Sequence, residues 1–511
     1  MKSRFVISMI IIFFLFSLYA EKIVILHTND HHGRPLSFQV GQFTGGGLPV
    51  RATVIDSIRY INENVLLLDC GDINDGLIES NLFDAEPDIK GYNYLKYDAM
   101  TLGNHEFYET LEKLNKQKKN ADFPFLCANI TYNDGSYVAK PYIIKEIKNK
   151  KIGIIGLTTN TTQFSAPISV TSHLKFLDEV ETAQGIVNSI KDSTDMIIAL
   201  VHLGISEDPE YGSLRLAKHV KGIDIVIDGH SHTQLEKPVW VKQNASQDSI
   251  PVVQALCWGT FIGKAEFEVN QDKVDFLSWT PIALQTKDKD RLILTEKKEL
   301  LDLLQSYQNV ALKQMGKVIG QTDKDYNTDK VRWQENELAS LCVDAMQWYF
   351  RKEKPDFSIT NGGGVRNFLN KGDIKISDIH NLLPFDNHVV LLEITGADLL
   401  TACEHLVKHK IGTGGFLHFS KGFKIEVNPD STLKMVTFHK KAIRPDAIYR
   451  VLTNSYLANG GDAFESFRNA KVMPIETVFQ RDIVISYIEN KLKGKIKLSS
   501  EPQIFRMEQK K

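Results

Sequence analysis

Short apolar runs in this chain repeatedly end in residues that could bind a cation or move a proton. Ile23 to Leu26 leads to Asp30-His31-His32, Val65 to Leu68 leads to Asp72, and Thr101-Leu102-Gly103 leads to Asn104-His105-Glu106. Ile197 to Val201 leads to His202, and Ile225 to Ile227 leads to Gly229-His230-Ser231-His232. Carboxylate, imidazole and amide without thiolate suit zinc, manganese or another first-row dication and disfavour a structural cysteine-zinc site. Asp30, His32, Asp72, Asn104, His202, His230 and His232 are too many donors for one tetrahedral ion. Two ions bridged by one carboxylate would use them all, and ions roughly 3.5–4 Å apart are a recurrent device for attacking phosphate esters. Any one of these histidines alone reads more readily as a satisfied core or loop residue; the shared position after successive runs is what points to a site. His31 should face away from His32 if the segment is extended, so it stays outside the set.

The runs are short enough to be buried strands. In sheets with connecting helices, ligands gather at the carboxyl ends of the strands. The runs alternate with amphipathic stretches, such as Glu179 to Lys191 and Tyr211 to Val220, and this alternation predicts an α/β domain over residues 21–286. Residues 287–315 are charged, favour helix and contain no proline, which predicts a linker helix. A second domain is expected over 316–511, opening with Val318-Ile319-Gly320 and containing strands at Val389 to Ile394 and Gly422 to Val427. At 511 residues the chain exceeds the length at which one core keeps growing, which agrees with two domains.

Composition is that of an ordinary globular protein, with 42% hydrophobic and 24% charged residues. A formal charge of −2 gives no electrostatic reason to expect a nucleic-acid polymer or an anionic membrane as partner. An anionic ligand would need a local cluster of cations. In residues 1–20, Lys2 and Arg4 precede an apolar run from Phe5 to Leu18 that closes on Ala20, the order of a cleavable secretory signal. The chain is therefore expected in a periplasmic or secreted compartment, with no stable membrane span after cleavage. Cysteines 70, 127, 257, 342 and 403 are scattered and odd in number, so no disulfide framework is read. Sequons at Asn129, Asn160 and Asn244 are compatible with export.

Taken together, His27-Thr28-Asn29-Asp30-His31-His32, Gly71-Asp72, Gly103-Asn104-His105-Glu106-Phe107, His202 and Gly229-His230-Ser231-His232 resemble the calcineurin-like metallophosphoesterase signature in its 5′-nucleotidase form. The resemblance implies a four-layer α/β sandwich followed by an α+β substrate-binding domain. It implies that Asp30, His32, Asp72 and His232 hold one divalent ion and that Asp72, Asn104, His202 and His230 hold the other, with zinc, manganese or cobalt as the metals. His105 would be the imidazole that stabilises the transferring phosphoryl group or protonates the leaving oxygen. The family usually has an aspartate three residues after that histidine, where this chain has Tyr108. A phenol can hold the ring but cannot stabilise an imidazolium as a carboxylate does. A lowered His105 pKa and slower turnover are therefore expected, unless Glu106, Glu109 or Glu112 substitutes.

The resemblance extends over about residues 22–505. Thr360-Asn361-Gly362-Gly363-Gly364-Val365-Arg366 offers a backbone that a ligand can approach closely and an arginine for an anion. By the resemblance, Arg332, Asn361 and Arg366 belong to the substrate pocket, Phe385 and Tyr456 sandwich the base, Asn387 meets the base edge and Asp462 accepts the ribose hydroxyls. Stacking tolerates base identity because every base has a π face. The implied activity is release of phosphate from nucleoside 5′-monophosphates, with UDP-sugars and other nucleotide pyrophosphates as further substrates and rotation about residues 297–317 between loading and hydrolysis. A 2′,3′-cyclic-nucleotide 2′-phosphodiesterase with 3′-nucleotidase activity shares both domain types. Sulfur-oxidation hydrolases share the metal motifs but not the aromatic pair. A nucleotide-binding protein with catalysis attenuated by Tyr108 is the non-enzyme alternative.

Overall fold

The computed structural model of the chain describes residues 20–506, except 41–42, 207, 209–210, 244–248, 271–272, 289–290, 293, 386 and 409–413. The expected signal up to residue 19 and the sequon at Asn244 lie outside the described residues. The chain divides into two compact units, one of residues up to 166 with 170–311, the other of 167–169 with the residues from 312 onward.

The first unit is built on two six-stranded sheets. Strand Glu21–Thr28 shows why: Ile23 and Ile25 join one core cluster, and the alternate Val24 and Leu26 join another. Both faces of the strand are therefore apolar and buried, with the period of two that β geometry imposes. Leu66 and Leu68 of strand Val65–Asp69, Ile152 and Ile154 of strand Lys150–Thr158, and Ile198 and Leu200 of strand Met196–His202 enter the same cluster as Ile23. That cluster lies between the sheets. Their outer faces are covered by helices: Leu48–Ile61, Glu86–Leu95 and Leu111–Asn120 on one side, and Glu179–Ile190 and Gly212–His219 on the other. The result is the expected four-layer sandwich.

The pairing of Glu21–Thr28 with Val65–Asp69, of Val65–Asp69 with Ala99–Thr101, and of Met196–His202 with Ile225–Ile227 is parallel. Parallel register places the carboxyl ends of neighbouring strands together, so the loops that follow them meet at one edge of each sheet.

The linker differs from expectation at its start. Gln285–Asp288 is a strand paired with Phe43–Gly45, and the helix begins only at Lys298 and runs to Met315. Sheet pairing outweighs the local helix preference of these charged residues. Leu300 and Leu304 are fully buried in the core of the first unit, each worth roughly 1.5–3 kcal/mol. The first turns of the helix thus belong to that core.

In the second unit a five-stranded sheet runs in the order Leu417–Phe419, Phe357–Asn361, Ile448–Asn454, Val389–Thr395, Lys471–Met473. Helices Glu337–Tyr349 and Gln480–Ser486 pack in one core cluster, and helix Gly396–Lys408 packs in another. Asn336 caps Glu337–Tyr349 by accepting from the Leu338 and Ala339 amides. No helix among the described residues is long and apolar enough to cross a membrane. All five cysteines are buried and unpaired, and Asn129 is buried with its amide donated to the Thr158 carbonyl.

Candidate functional site

The loops at the carboxyl edge of the first unit bring the predicted donors together. Asp30, His32 and His232 present ligand atoms within 4.8 Å of one another, as do Asp72, His202 and His230. Asp72 Oδ2 lies 3.0 Å from His202 Nε2 and 3.8 Å from His32 Nε2, a central placement between the two groups. Asn104 Oδ1 is 2.8 Å from His230 Nδ1 and 3.1 Å from His202 Nε2. Asp30 Oδ1 is 3.2 Å from His232 Nε2.

The rings are aimed by what holds their far nitrogens. His32 Nδ1 donates to the Asn74 carbonyl and His202 Nδ1 donates to the Cys70 carbonyl, at 3.1 and 2.6 Å. Each bond fixes the tautomer and turns the Nε2 lone pair into the cluster. His32 Nε2 and His232 Nε2 face each other at 3.2 Å, with a carboxylate beside them. Inward lone pairs around two buried carboxylates are the donor set that a divalent cation requires, so these residues fit the two ions the resemblance implies.

The backbone is strained to achieve this. Asp30, His32, Asp72, His230 and His232 all have positive φ, between 46° and 75°. For residues with a Cβ this costs on the order of 1 kcal/mol each, and such outliers cluster where side chains must be aimed. Gly103 permits the loops to approach: a Cβ there would lie 2.1 Å from Asp72 Oδ1.

Two buried carboxylates brace the loops without joining the cluster. Glu106 accepts from the backbone amides of Asp72, Ile73, Asn74 and Gly103, tying the Asp72 loop to the Asn104 loop. Asp228 accepts from the amides of Leu203, Gly204 and Gly229, tying the His202 strand end to the His230 loop. Burial pushes Glu106 up to about 7, helped by the charge of Asp72. His31 faces away from the cluster as expected, its ring 2.8 Å from Asp88 Oδ1 and 3.2 Å from Arg51 Nη2.

Burial pushes Asp30 and Asp72 up, yet the surrounding imidazoles overcome it and hold both below the ordinary carboxylate range. Burial disfavours the charged form of His202 and His232, yet Asp72 and Asp30 respectively raise them to about 10, so a cation reaches the inward lone pairs by displacing a proton.

His105 stands beside the cluster, its side chain 25% exposed and its Nε2 3.9 Å from Asp72 Oδ2. The expectation of a lowered His105 pKa is not met. Burial would lower it, but Asp72 and a hydrogen bond to Asp75 raise it to about 9. Of the nearby glutamates, Glu106 adds its charge to this rise while its oxygens take backbone amides, and Glu109 pairs with Lys113. Asp75, at 2.6 Å from His105 Nδ1, holds the ring.

In the second unit, Arg332, Asn361, Arg366, Phe385, Asn387, Tyr456 and Asp462 line one cavity of about 370 Å³, with Gly363, Gly364 and Gly414. Phe385 and Tyr456 are each 44% exposed, large rings left open to a ligand. The Arg366 guanidinium lies 5.0 Å from the Phe385 ring centroid. The Tyr456 hydroxyl donates to Asp462 Oδ1 and Asn361 Nδ2 donates to Asp462 Oδ2, at 3.1 and 2.9 Å.

Residues 23–234 match the family described as calcineurin-like phosphoesterase, and residues 318–469 match 5′-nucleotidase, C-terminal domain. A 5′-nucleotidase of Vibrio cholerae is 33% identical over 87% of this chain and 86% of its own length. The chain belongs to the 5′-nucleotidase family. Protein UshA of Escherichia coli is 29% identical over 92% of this chain and 91% of its own length. The crystal structure of a 5′-nucleotidase precursor from Thermus thermophilus superposes with a TM-score of 0.64 at 26% identity, covering 96% of this chain and 100% of that one. Within this 5′-nucleotidase-family chain, Asp75 and Gly414 are additions that sequence reading missed. Asp75 sits in Asn74-Asp75-Gly76, a turn signal two residues past a donor, and Gly414 begins a Gly-Gly pair.

Proposed function

We propose that the chain is a dimetal phosphohydrolase that releases phosphate from nucleoside 5′-monophosphates. The observation that carries this reading is the cavity of the second unit, where two half-exposed rings, two arginines and a carboxylate surround about 370 Å³. The donor cluster alone would fit any phosphoester, but aromatic faces beside a hydrogen-bonding carboxylate match a nucleoside. In this reading Phe385 and Tyr456 stack the base, Asn387 meets its edge, Asp462 accepts ribose hydroxyls, and Arg332, Asn361 and Arg366 hold anionic or polar parts of the substrate.

Asp30, His32, Asp72 and His232 would hold one ion, and Asp72, Asn104, His202 and His230 the other. Zinc, manganese and cobalt suit this oxygen and nitrogen set. Bound there, the ions supply positive charge to the phosphoryl oxygens and acidify a water. His105, from beside them, carries a proton at Nε2 that the leaving oxygen can take. Export through the amino-terminal signal would place the enzyme outside the cytoplasm, where extracellular nucleotides are its substrates.

Phosphate release from 5′-AMP, UDP-glucose and 2′,3′-cyclic AMP, each with added zinc, manganese or cobalt and then with a chelator, tests the reading. Chelator-sensitive release from 5′-AMP is expected. Preference for the cyclic nucleotide would move the chain to the 2′-phosphodiesterase branch, and binding without turnover would overturn the enzymatic reading.

A further inference from the structure

His105 is held from a distant part of the sequence. Its Nδ1 lies 2.6 Å from Asp75 Oδ2, and Asp75 belongs to the loop after strand Val65–Asp69 that also carries Asp72. The Asp75 side chain is only 3% exposed, so little water competes for the bond. Its backbone has φ 60°, a conformation that Asp and Asn tolerate better than most residues.

Both neighbours pin Asp75 in place. The Asn74 carbonyl receives His32 Nδ1, and the Asn74 side chain pairs with the buried Gln117 amide at 2.7 Å. Gly76 passes so close to the His32 carbonyl that a Cβ would lie 1.8 Å from its oxygen. The loop cannot shift without moving His32. Tyr108, meanwhile, serves Asn104 instead, since its hydroxyl oxygen accepts from Asn104 Nδ2 at 2.7 Å, while its ring stands 4.3 Å from that of His105.

We infer that Asp75 is the positioning residue of His105, supplying from the Asp72 loop the carboxylate that position 108 lacks. The inference rests on the phosphohydrolase reading above for its catalytic meaning. Asp75 accepts a hydrogen bond from the Nδ1–H, turns Nε2 toward the donor cluster and steadies the ring as its Nε2 proton is given up. As the bond from phosphorus to the leaving oxygen breaks, the Nε2 proton passes to that oxygen. The attacking water forms the new phosphorus–oxygen bond, and a proton from it restores Nε2. Nδ1 keeps its proton throughout, held in the hydrogen bond to Asp75.

The test is Asp75→Asn, which keeps the shape and the left-handed backbone preference. Turnover of 5′-AMP is expected to fall on the order of 100-fold, the usual scale for an impaired general acid. KM, bound metal and the thermal midpoint should stay close to those of the unaltered protein. In metal-free protein with 15N-labelled histidine, a far-downfield Nδ1 proton, assigned by its loss in His105→Gln, should be present with Asp75 and move upfield in Asp75→Asn. Unaltered kcat in Asp75→Asn, an unmoved proton resonance, or a fall in kcat that tracks lost metal or lost folding would each overturn the inference. If the unaltered protein hydrolyses no nucleotide, the functional reading fails, and the resonance still decides whether Asp75 holds the ring.

Discussion

The Tyr108 hydroxyl oxygen lies 2.7 Å from Asn104 Nδ2, and this bond faces Asn104 Oδ1 toward His230 and His202. The phenol thus acts on the donor cluster through an amide. Tyr108→Phe removes the bond while keeping the ring. Loss of a partner that orients a ligand weakens metal affinity by roughly 10–100-fold. Isothermal titration of zinc into the metal-free variant should show a weakening of this order; unchanged affinity would show that Asn104 needs no such support.

Glu106 is a structural fastener between two loops, with four backbone amides on its carboxylate. Glu106→Gln replaces one acceptor oxygen by an NH₂ group facing those donors. Hydrogen bonds to charged groups contribute about 1.5–3 kcal/mol each, so a loss of about 3 kcal/mol is expected in urea unfolding of the first unit. A loss below about 1 kcal/mol would mean that the loops are held by other contacts.

These contacts also separate what the sequence announces from what it hides. The donors at Asp30, Asp72, Asn104, His202 and His230 were legible because each follows an apolar run, and a buried parallel strand delivers its successor to the same edge as its neighbours. The unbroken apolar run Ile23 to Leu26 likewise pointed to a buried strand, and its two faces enter two core clusters. The partner of His105 was not legible, because a bond between residues thirty apart depends on the left-handed turn at Asp75 and on the depth of the loop. Nearness in sequence points to Glu106, Glu109 or Glu112, and backbone amides engage the first of these. The strand at Gln285–Asp288 was missed for a similar reason, since its partner Phe43–Gly45 is remote in sequence. In the second unit, the glycine and aromatic motifs announced the cavity residues, whereas Gly414 reaches it only through the fold.

The cavity predicts a separation of base and sugar recognition. Tyr456→Ala should raise KM for 5′-AMP by about 5- to 150-fold, matching roughly 1–3 kcal/mol per stacked base. KM for ribose 5-phosphate, which has no base, should change little. Equal effects on both substrates would place the Tyr456 ring outside base recognition.

His418 links acid stability to the same cavity. Its Nε2 donates to the Val331 carbonyl at 2.8 Å, next to Arg332. Burial pushes its pKa from 6.5 down to about 4, only partly opposed by the Val331 bond. Between pH 6.5 and about 4 the unfolded chain therefore binds a proton that the folded chain refuses, and stability falls as pH falls. This group contributes up to about 1.4 kcal/mol per pH unit inside that window. Thermal unfolding of the second unit at pH 7 and 4.5 should show a smaller acid-induced drop in His418→Gln than in the unaltered protein. Equal drops would assign the acid sensitivity to other groups.

The central claim is that nucleotide hydrolysis depends on two ions held by the first unit. Titrating manganese or zinc into chelator-stripped protein, with phosphate release from 5′-AMP and bound metal measured at each step, tests it most directly. The account predicts no release without metal and a plateau as two ions per chain are reached. Full turnover in the stripped protein, or two bound ions with no phosphate released, would contradict it.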